Sequence, residues 1–173
     1  MSEILLRNMK VVDPGGPHHD TEVDVLVRNG VIEKIGARLP KGKAREVTIA
    51  GAHISPGWVD LRAHFRDPGE EWKQGITNGL DAAAAGGFTA VAVLPSTLPT
   101  VDTGSDVGHL LRKAEGHPVK LLPLGAITKG LKGEQLAELH DLHTAGAVGF
   151  SDDQHTIRNA RLMLLALQYS AGL

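Results

Sequence analysis

Four side chains that could do chemistry lie within one short stretch, residues 55–69. Asp60, Arg62 and His64 occupy alternate positions of a short apolar segment, and Arg66 follows just before a Pro-Gly pair. Because side chains on a strand alternate between its faces, the first three are predicted to point the same way. At the mouth of a barrel they would be placed for catalysis. A solvated edge strand with one polar face is the alternative.

The sequence that follows predicts the elements that would position this strand end. From Gly57 onward, apolar strand-like runs alternate with helical patterns. The alternation predicts a parallel sheet, and four βα units make half of a (β/α)8 barrel. The predicted strands are 58–64, 88–94, 119–127 and 147–150, and the predicted helices are 78–85, 105–115, 134–144 and 157–170.

The first part of the chain has a different pattern, with short strand-like runs and frequent turn residues. The predicted strands are 4–8, 23–28, 31–35 and 46–49. Asn29-Gly30 between the second and third runs is a strong signal for a two-residue hairpin. We therefore divide the chain into a β-sheet domain, residues 1–54, and an α/β domain, residues 55–173.

The composition is that of a globular protein and limits its partners. The 173 residues are 42% hydrophobic and carry a net charge of −2, and no cysteine is present. The sequence has no basic patch that would indicate nucleic-acid binding. The absence of cysteine excludes disulfides and thiolate sites. No apolar run approaches the ~18 residues of a membrane span, and the N-terminal stretch lacks the positive charge of a signal peptide. A cytoplasmic protein is therefore expected.

The stretch from Asp60 to Gly69 resembles the Asp-x-His-x-His-x-Arg-x-Pro-Gly signature of the dihydroorotases, a branch of the cyclic amidohydrolases. The matching residues are His64, Arg66, Pro68 and Gly69, whereas Arg62 stands at the first histidine. Residues 82–91, 125–133 and 145–153 extend the resemblance. It implies an α/β fold with a TIM-type (β/α)8 barrel, of which this chain holds the N-terminal half, beside part of a small β-sandwich. The chain is also expected to be the N-terminal part of a longer family member.

The resemblance implies a metal site with one ligand changed. In the family, two histidines of the first strand bind one metal of a zinc pair, and an acidic group of the fourth strand bridges the metals. His64 matches the second histidine and Asp153 the bridging acid, with Asp152 as the alternative. Arg62 cannot be a ligand, because a guanidinium has no acceptor and stays protonated. We expect Arg62 to pair with Asp153 or Asp152 and to hold the strand ends together without metal.

Other outcomes at this site remain open. A single zinc bound by His64, with ligands from beyond this sequence, is the alternative to a metal-free cluster. In active members of the family, an arginine and an asparagine bind the carboxylate of dihydroorotate. Arg66 matches the arginine, but Ser96 stands at the asparagine position, and Gln154 replaces the usual glycine after Ser-Asp-Asp.

The resemblance thus implies a protein of pyrimidine biosynthesis with weak or no metal-dependent cyclic amide hydrolysis, because of Arg62. One alternative is an active zinc dihydroorotase that interconverts N-carbamoyl-aspartate and dihydroorotate. The other is a non-catalytic scaffold for aspartate transcarbamoylase, for which Trp72, just after the Pro68-Gly69 turn, is the first candidate anchor. A homo-oligomer is expected in either case.

Overall fold

The computed structural model describes residues 3–173, which form two compact units. The first unit ends at Pro56 and the second runs from Gly57 to Leu173. In residues 3–173, no helix is both long enough and apolar enough to cross a membrane.

The described part of the first unit is one mixed β-sheet. Its strands are β1 (Glu3–Val11), β2 (Glu22–Arg28), β3 (Val31–Gly36), β4 (Arg45–Thr48) and β5 (His53–Ile54). They are arranged in the order β3-β2-β1-β4, and β5 pairs with the later part of β1. Asn29 and Gly30 both have positive φ and close the hairpin between β2 and β3, as predicted.

Apolar packing and a buried ion pair both stabilise this sheet. Val11, Val23 and Val25 form a small apolar cluster. Asp24 is buried and accepts hydrogen bonds from the Arg7 guanidinium at 2.6 Å and from the backbone N–H of Leu39 at 2.9 Å. Burial raises the pKa of the Asp24 carboxyl, but its hydrogen bonds and the Arg7 charge outweigh burial and leave the pKa below its usual range.

The second unit is a parallel sheet with a helix after each strand, as the alternating pattern predicted. Its strands are β6 (Trp58–Ala63), β7 (Phe88–Val93), β8 (Lys120–Gly125) and β9 (Gly149–Phe150), paired in chain order. Its α-helices are α1 (Ile76–Ala85), α2 (Gly104–Lys113), α3 (Leu139–Thr144) and α4 (Ala160–Ser170).

Apolar residues of the strands and helices form the core of this unit. Leu80 of α1, Leu110 of α2 and Leu142 of α3 are fully buried beside Val93 of β7. Gly79 of α1 lies against the ring of Phe65, and a Cβ atom there would stand 2.6 Å from the ring. Close packing therefore holds α1 against the chain just beyond β6.

The predicted helix over residues 134–144 is wrong in its first part. The observed α3 begins only at Leu139. Before it, the backbone N–H of Lys129 donates to the carbonyl of Gln135 at 2.9 Å, and that of Ala137 donates to the carbonyl of Ile127 at 2.9 Å. These bonds to the loop after β8 hold residues 135–137 out of a helix. Leu136, Leu139 and Leu142 have helical spacing in the sequence, but Leu136 lies outside the observed helix.

Candidate functional site

Arg62 and His64 reach the same carboxylate from the end of β6. Arg62 Nη2 lies 2.8 Å from Oδ1 of Asp153, and His64 Nε2 lies 3.4 Å from Oδ2. The structure therefore contains the predicted pairing of Arg62 with an acidic residue that follows the fourth strand of the barrel unit. Asp60 accepts a hydrogen bond from the backbone N–H of Arg62 at 2.9 Å.

Asp153 is the centre of this cluster. Its side chain is 2% exposed, and Ser96 Oγ donates to Oδ2 at 2.7 Å. Asp153 has a positive φ of 52°, and its backbone N–H donates to Ser151 Oγ at 2.9 Å. Both carboxylate oxygens of Asp153 therefore have side-chain partners. Arg62 of β6 contacts Oδ1, and His64 and Ser96, from the loops after β6 and β7, contact Oδ2. We call Arg62, His64, Ser96 and Asp153 the strand-end cluster.

The electrostatics keep Asp153 ionised. Burial raises the pKa of this carboxyl, but the hydrogen bond from Ser96 and the interactions with His64 and Arg62 outweigh burial. The pKa of Asp153 consequently lies below its usual range. The cluster thus holds a buried negative charge that is neutralised by the Arg62 guanidinium.

Asp152, the alternative to Asp153, has different partners. Its Oδ1 accepts hydrogen bonds from the backbone N–H groups of Ile127 at 2.8 Å and Thr128 at 2.9 Å, and its Oδ2 accepts one from the Thr128 hydroxyl. Asp152 and Thr128 are both buried. Asp152 therefore fixes the loop after β8, and Asp153 rather than Asp152 contacts Arg62.

The two predicted substrate-binding residues, Arg66 and Ser96, lie on the loops after β6 and β7 and have different side-chain partners. Arg66 has a positive φ of 59°, and its Nη1 lies 3.5 Å from Oε2 of Glu70. Ser96 donates to Asp153 instead. The two loops are joined by the backbone N–H of Leu98, which donates to the carbonyl of Pro68 at 3.0 Å.

Sequence reasoning missed a second acidic centre beside Arg66. Asp67 is buried, pairs with the Lys113 ammonium of α2, and accepts a hydrogen bond from the backbone N–H of Ile76 at 3.3 Å. It thereby caps the N-terminus of α1 from nine residues upstream. No local capping pattern reveals a residue so far from the helix start. The pairing with Lys113 is visible only once α2 is packed in place.

The strand-end cluster lacks a ready-made set of metal ligands. Within residues 3–173, no three or more His, Asp or Glu side chains are grouped so that they could hold a metal ion. His64 and Asp153 are the two potential ligands in the cluster, and Asp153 is already bound by Arg62 and Ser96.

Solved structures with the same fold define the class of protein. The L-hydantoinase (dihydropyrimidinase) from Arthrobacter aurescens has a TM-score of 0.79 at 23% identity, covering 99% of this chain and 39% of that chain. A dihydroorotase has a TM-score of 0.67 at 18% identity, covering 99% of this chain and 49% of that chain. The second unit thus has the fold of part of a TIM-type (β/α)8 barrel.

Sequence comparison identifies the family within that class. A family model described as dihydro-orotase-like matches residues 51–173. The dihydroorotase of Syntrophotalea carbinolica is 44% identical over 170 residues, which are 97% of this chain and 40% of that protein. The dihydroorotase of Desulfotalea psychrophila is 42% identical and is covered over 39% of its length. The chain belongs to the dihydro-orotase-like family and spans about 40% of the length of these relatives.

Proposed function

We propose that this chain is part of a protein of pyrimidine biosynthesis in which metal-dependent cyclic amide hydrolysis is weak or absent. The family and the relatives named as dihydroorotases support the pathway. The contact of 2.8 Å between Arg62 Nη2 and Asp153 Oδ1 supports the loss of activity. It places a permanent positive charge on the carboxylate that resembles the bridging ligand of active relatives.

The residues present do not fit the zinc pair that the family resemblance implies. The Arg62 guanidinium and the Ser96 hydroxyl occupy both oxygens of Asp153. A zinc ion bound to the same carboxylate would face the guanidinium at close range. Two unit charges 4 Å apart repel by ~4 kcal/mol at an effective dielectric of 20, and a divalent ion doubles this cost. We therefore derive no catalytic step through a metal.

The experiment that tests this proposal measures metal content and turnover together. The intact protein is purified with zinc present, analysed for bound metal, and assayed for cyclisation of N-carbamoyl-aspartate. The dihydroorotase of Syntrophotalea carbinolica serves as the active control. We expect far less than one zinc per chain and no turnover above background. Stoichiometric zinc with turnover would instead favour an active zinc dihydroorotase.

A second candidate function is a scaffold for aspartate transcarbamoylase, which one surface feature favours. The side chain of Trp72 is 80% exposed in the loop after β6, with the Lys73 ammonium 4.9 Å from its ring centroid. Exposed tryptophans are typical anchors of protein interfaces. We propose that Trp72 contacts the partner enzyme.

Analytical ultracentrifugation of the two proteins together tests the scaffold. Trp72→Ala is expected to abolish or strongly weaken a complex. Trp58→Ala is the matched control, because Trp58 is also exposed but lies at the opposite end of β6. Equal association of the wild type and Trp72→Ala would remove Trp72 from the interface.

A further inference from the structure

The chain contains the pair Asn-Gly twice, in two different backbone settings. Asn29-Gly30 is the exposed turn between β2 and β3, and Asn78-Gly79 lies within α1. An asparagine before a glycine is chemically labile, because the backbone nitrogen of the glycine can attack Cγ of the asparagine side chain. Glycine has no Cβ atom to hinder this attack. The two pairs have the same chemistry, so a difference in their reactivity comes from the fold.

The turn between β2 and β3 leaves the attacking nitrogen free. Asn29 and Gly30 are both exposed and have positive φ, 52° and 80°. Among residues 3–173, the backbone N–H of Gly30 has no hydrogen-bond acceptor. The space around Gly30 is also open, since a Cβ atom there would meet no heavy atom within 4 Å. The Gly30 nitrogen is therefore accessible to base, which must remove its proton before it attacks.

Helix α1 protects the second pair. The backbone N–H of Gly79 donates to the carbonyl of Gly75 at 2.9 Å, and Gly79 is buried against the ring of Phe65. Attack on Asn78 requires this peptide unit to leave the helical conformation, which breaks the hydrogen bond and separates α1 from Phe65. Opening a packed helix costs far more free energy than opening an exposed turn. Asn78 is therefore expected to be stable while the protein is folded.

We propose that Asn29 is a site of spontaneous deamidation, with water as the co-reactant. A bond forms between the Gly30 nitrogen and Asn29 Cγ, and the bond between Cγ and Nδ2 breaks. The proton lost from the Gly30 nitrogen leaves with Nδ2 as ammonia. Water then opens the cyclic imide at one of its two carbonyl carbons, which leaves aspartate or isoaspartate at residue 29. No oxidant or reductant is needed.

The isoaspartate product changes the hairpin itself. It routes the main chain through the former side chain and adds a backbone carbon atom to a two-residue turn. The turn then no longer matches the pairing of Arg28 with Val31 that it closes. β3 is the outer strand of the described sheet and pairs with β2 alone, so no second strand holds its register. Deamidated protein is therefore expected to show faster hydrogen–deuterium exchange in β3.

Peptide mapping of the intact, folded protein during incubation in mildly alkaline buffer tests the inference. Cleavage after lysine releases residues 11–34 and 74–113, each of which contains one asparagine. Asn29 is expected to convert to aspartate and isoaspartate about tenfold or more faster than Asn78, the ratio expected from one protecting hydrogen bond. Equal rates, or faster conversion of Asn78, would overturn the proposal.

The same two pairs in unfolded protein provide the matched control. In urea the two rates should converge, because both pairs then lie in a mobile chain. A difference that persists in urea would show that the fold does not cause it and would overturn the argument. Asn29→Ser should abolish the new acidic form of residues 11–34 and leave conversion of Asn78 unchanged. These results are independent of metal content and turnover, so they test this inference apart from the proposed function.

Discussion

At the scale of single residues, the strand-end cluster depends on one buried carboxylate. Asp153 contacts Arg62 and His64 from the end of β6 and Ser96 from the loop after β7. A buried charge that loses its partner is costly, whereas an exposed ion pair contributes little. Arg62 is itself largely exposed, so the stabilisation by this pair lies between these limits.

Arg62→Ala is expected to destabilise the protein by about 1–3 kcal/mol, since Asp153 would remain buried with only Ser96 and His64 as partners. Urea unfolding at neutral pH measures the change. Arg112→Ala, which removes an exposed helical arginine without such a partner, should change stability by less than about 0.5 kcal/mol. Equal effects of the two substitutions would show that Asp153 does not depend on Arg62.

Acid should weaken the protein through Asp24 in particular. The pKa of Asp24 is lowered in the fold, against the burial that raises it, by the N–H donors of Asn8 and Leu39 and by Arg7. A lowered pKa gives stability that is full above the unfolded value of about 4 and is lost as pH falls through the folded value. Asp24→Asn should therefore flatten the fall in the free energy of unfolding below about pH 4.

The control for this pH dependence is Asp20→Asn. Asp20 also pairs with a basic side chain, that of Lys10, but its own side chain is 73% exposed. Its substitution should leave the acid dependence close to that of the wild type. An unchanged profile for Asp24→Asn would show that the network around Asp24 does not control acid stability.

The chemistry of single side chains was partly predictable from the sequence. The pairing of Arg62 with an acid followed from its inability to be a ligand, and the structure contains that pairing. The choice between Asp152 and Asp153 did not follow, because adjacent residues differ only in the direction that the backbone gives them. The positive φ of Asp153 and the backbone N–H groups that hold Asp152 decide it.

At the scale of elements, strands were predicted more accurately than helix ends. Short apolar runs place all four strands of the barrel unit to within two residues at each end. The start of α3 was missed, since residues 135–137 hydrogen bond to residues 127–129 across a loop. The start of α1 depends on Asp67, nine residues upstream. Both boundaries are set by contacts that a local pattern does not contain.

Two glycines within helices should respond to alanine in opposite ways. A Cβ atom at Gly79 would lie 2.6 Å from the ring of Phe65, so Gly79→Ala is expected to cost about 1–3 kcal/mol. At Gly108 of α2 the nearest atom is the mobile end of Arg112, at 3.1 Å. Gly108→Ala should therefore stabilise by about 0.5–1 kcal/mol through helix propensity. Thermal or urea unfolding of the pair measures both signs, and destabilisation by both would rule out the packing argument.

At the scale of the whole molecule, the parallel sheet has β6 at one side and β9 at the other in the described chain. Leu61 of β6 and Leu164 and Leu167 of α4 are among the large apolar residues left exposed. Exposed apolar groups of this kind favour association. The barrel class was predictable because strands and helices alternate along the sequence even in part of a barrel. The exposed apolar surfaces were not predictable, because they depend on how the strands and helices pack in three dimensions.

The 173-residue chain by itself is expected to self-associate through the exposed face of α4. Leu164→Lys with Leu167→Lys should shift it toward the monomer, since charged residues oppose burial of that face. Sedimentation velocity over a range of concentrations measures the change. Leu98→Lys, which alters an exposed leucine on the loop after β7, is the control. A monomeric wild-type chain would exclude association by this route.

The hydrogen bonds that Asp152 accepts from the backbone N–H groups of Ile127 and Thr128 also provide a way to observe the strand-end cluster. Asp152 and Asp153 are consecutive residues, so a displacement of Asp153 is expected to disturb the carboxylate that accepts hydrogen bonds from those amides. Hydrogen–deuterium exchange at these two amides is therefore expected to report on changes in the strand-end cluster. The two consecutive aspartates thus have separate roles. Asp153 pairs with Arg62, and Asp152 holds the loop whose amides report on that pair.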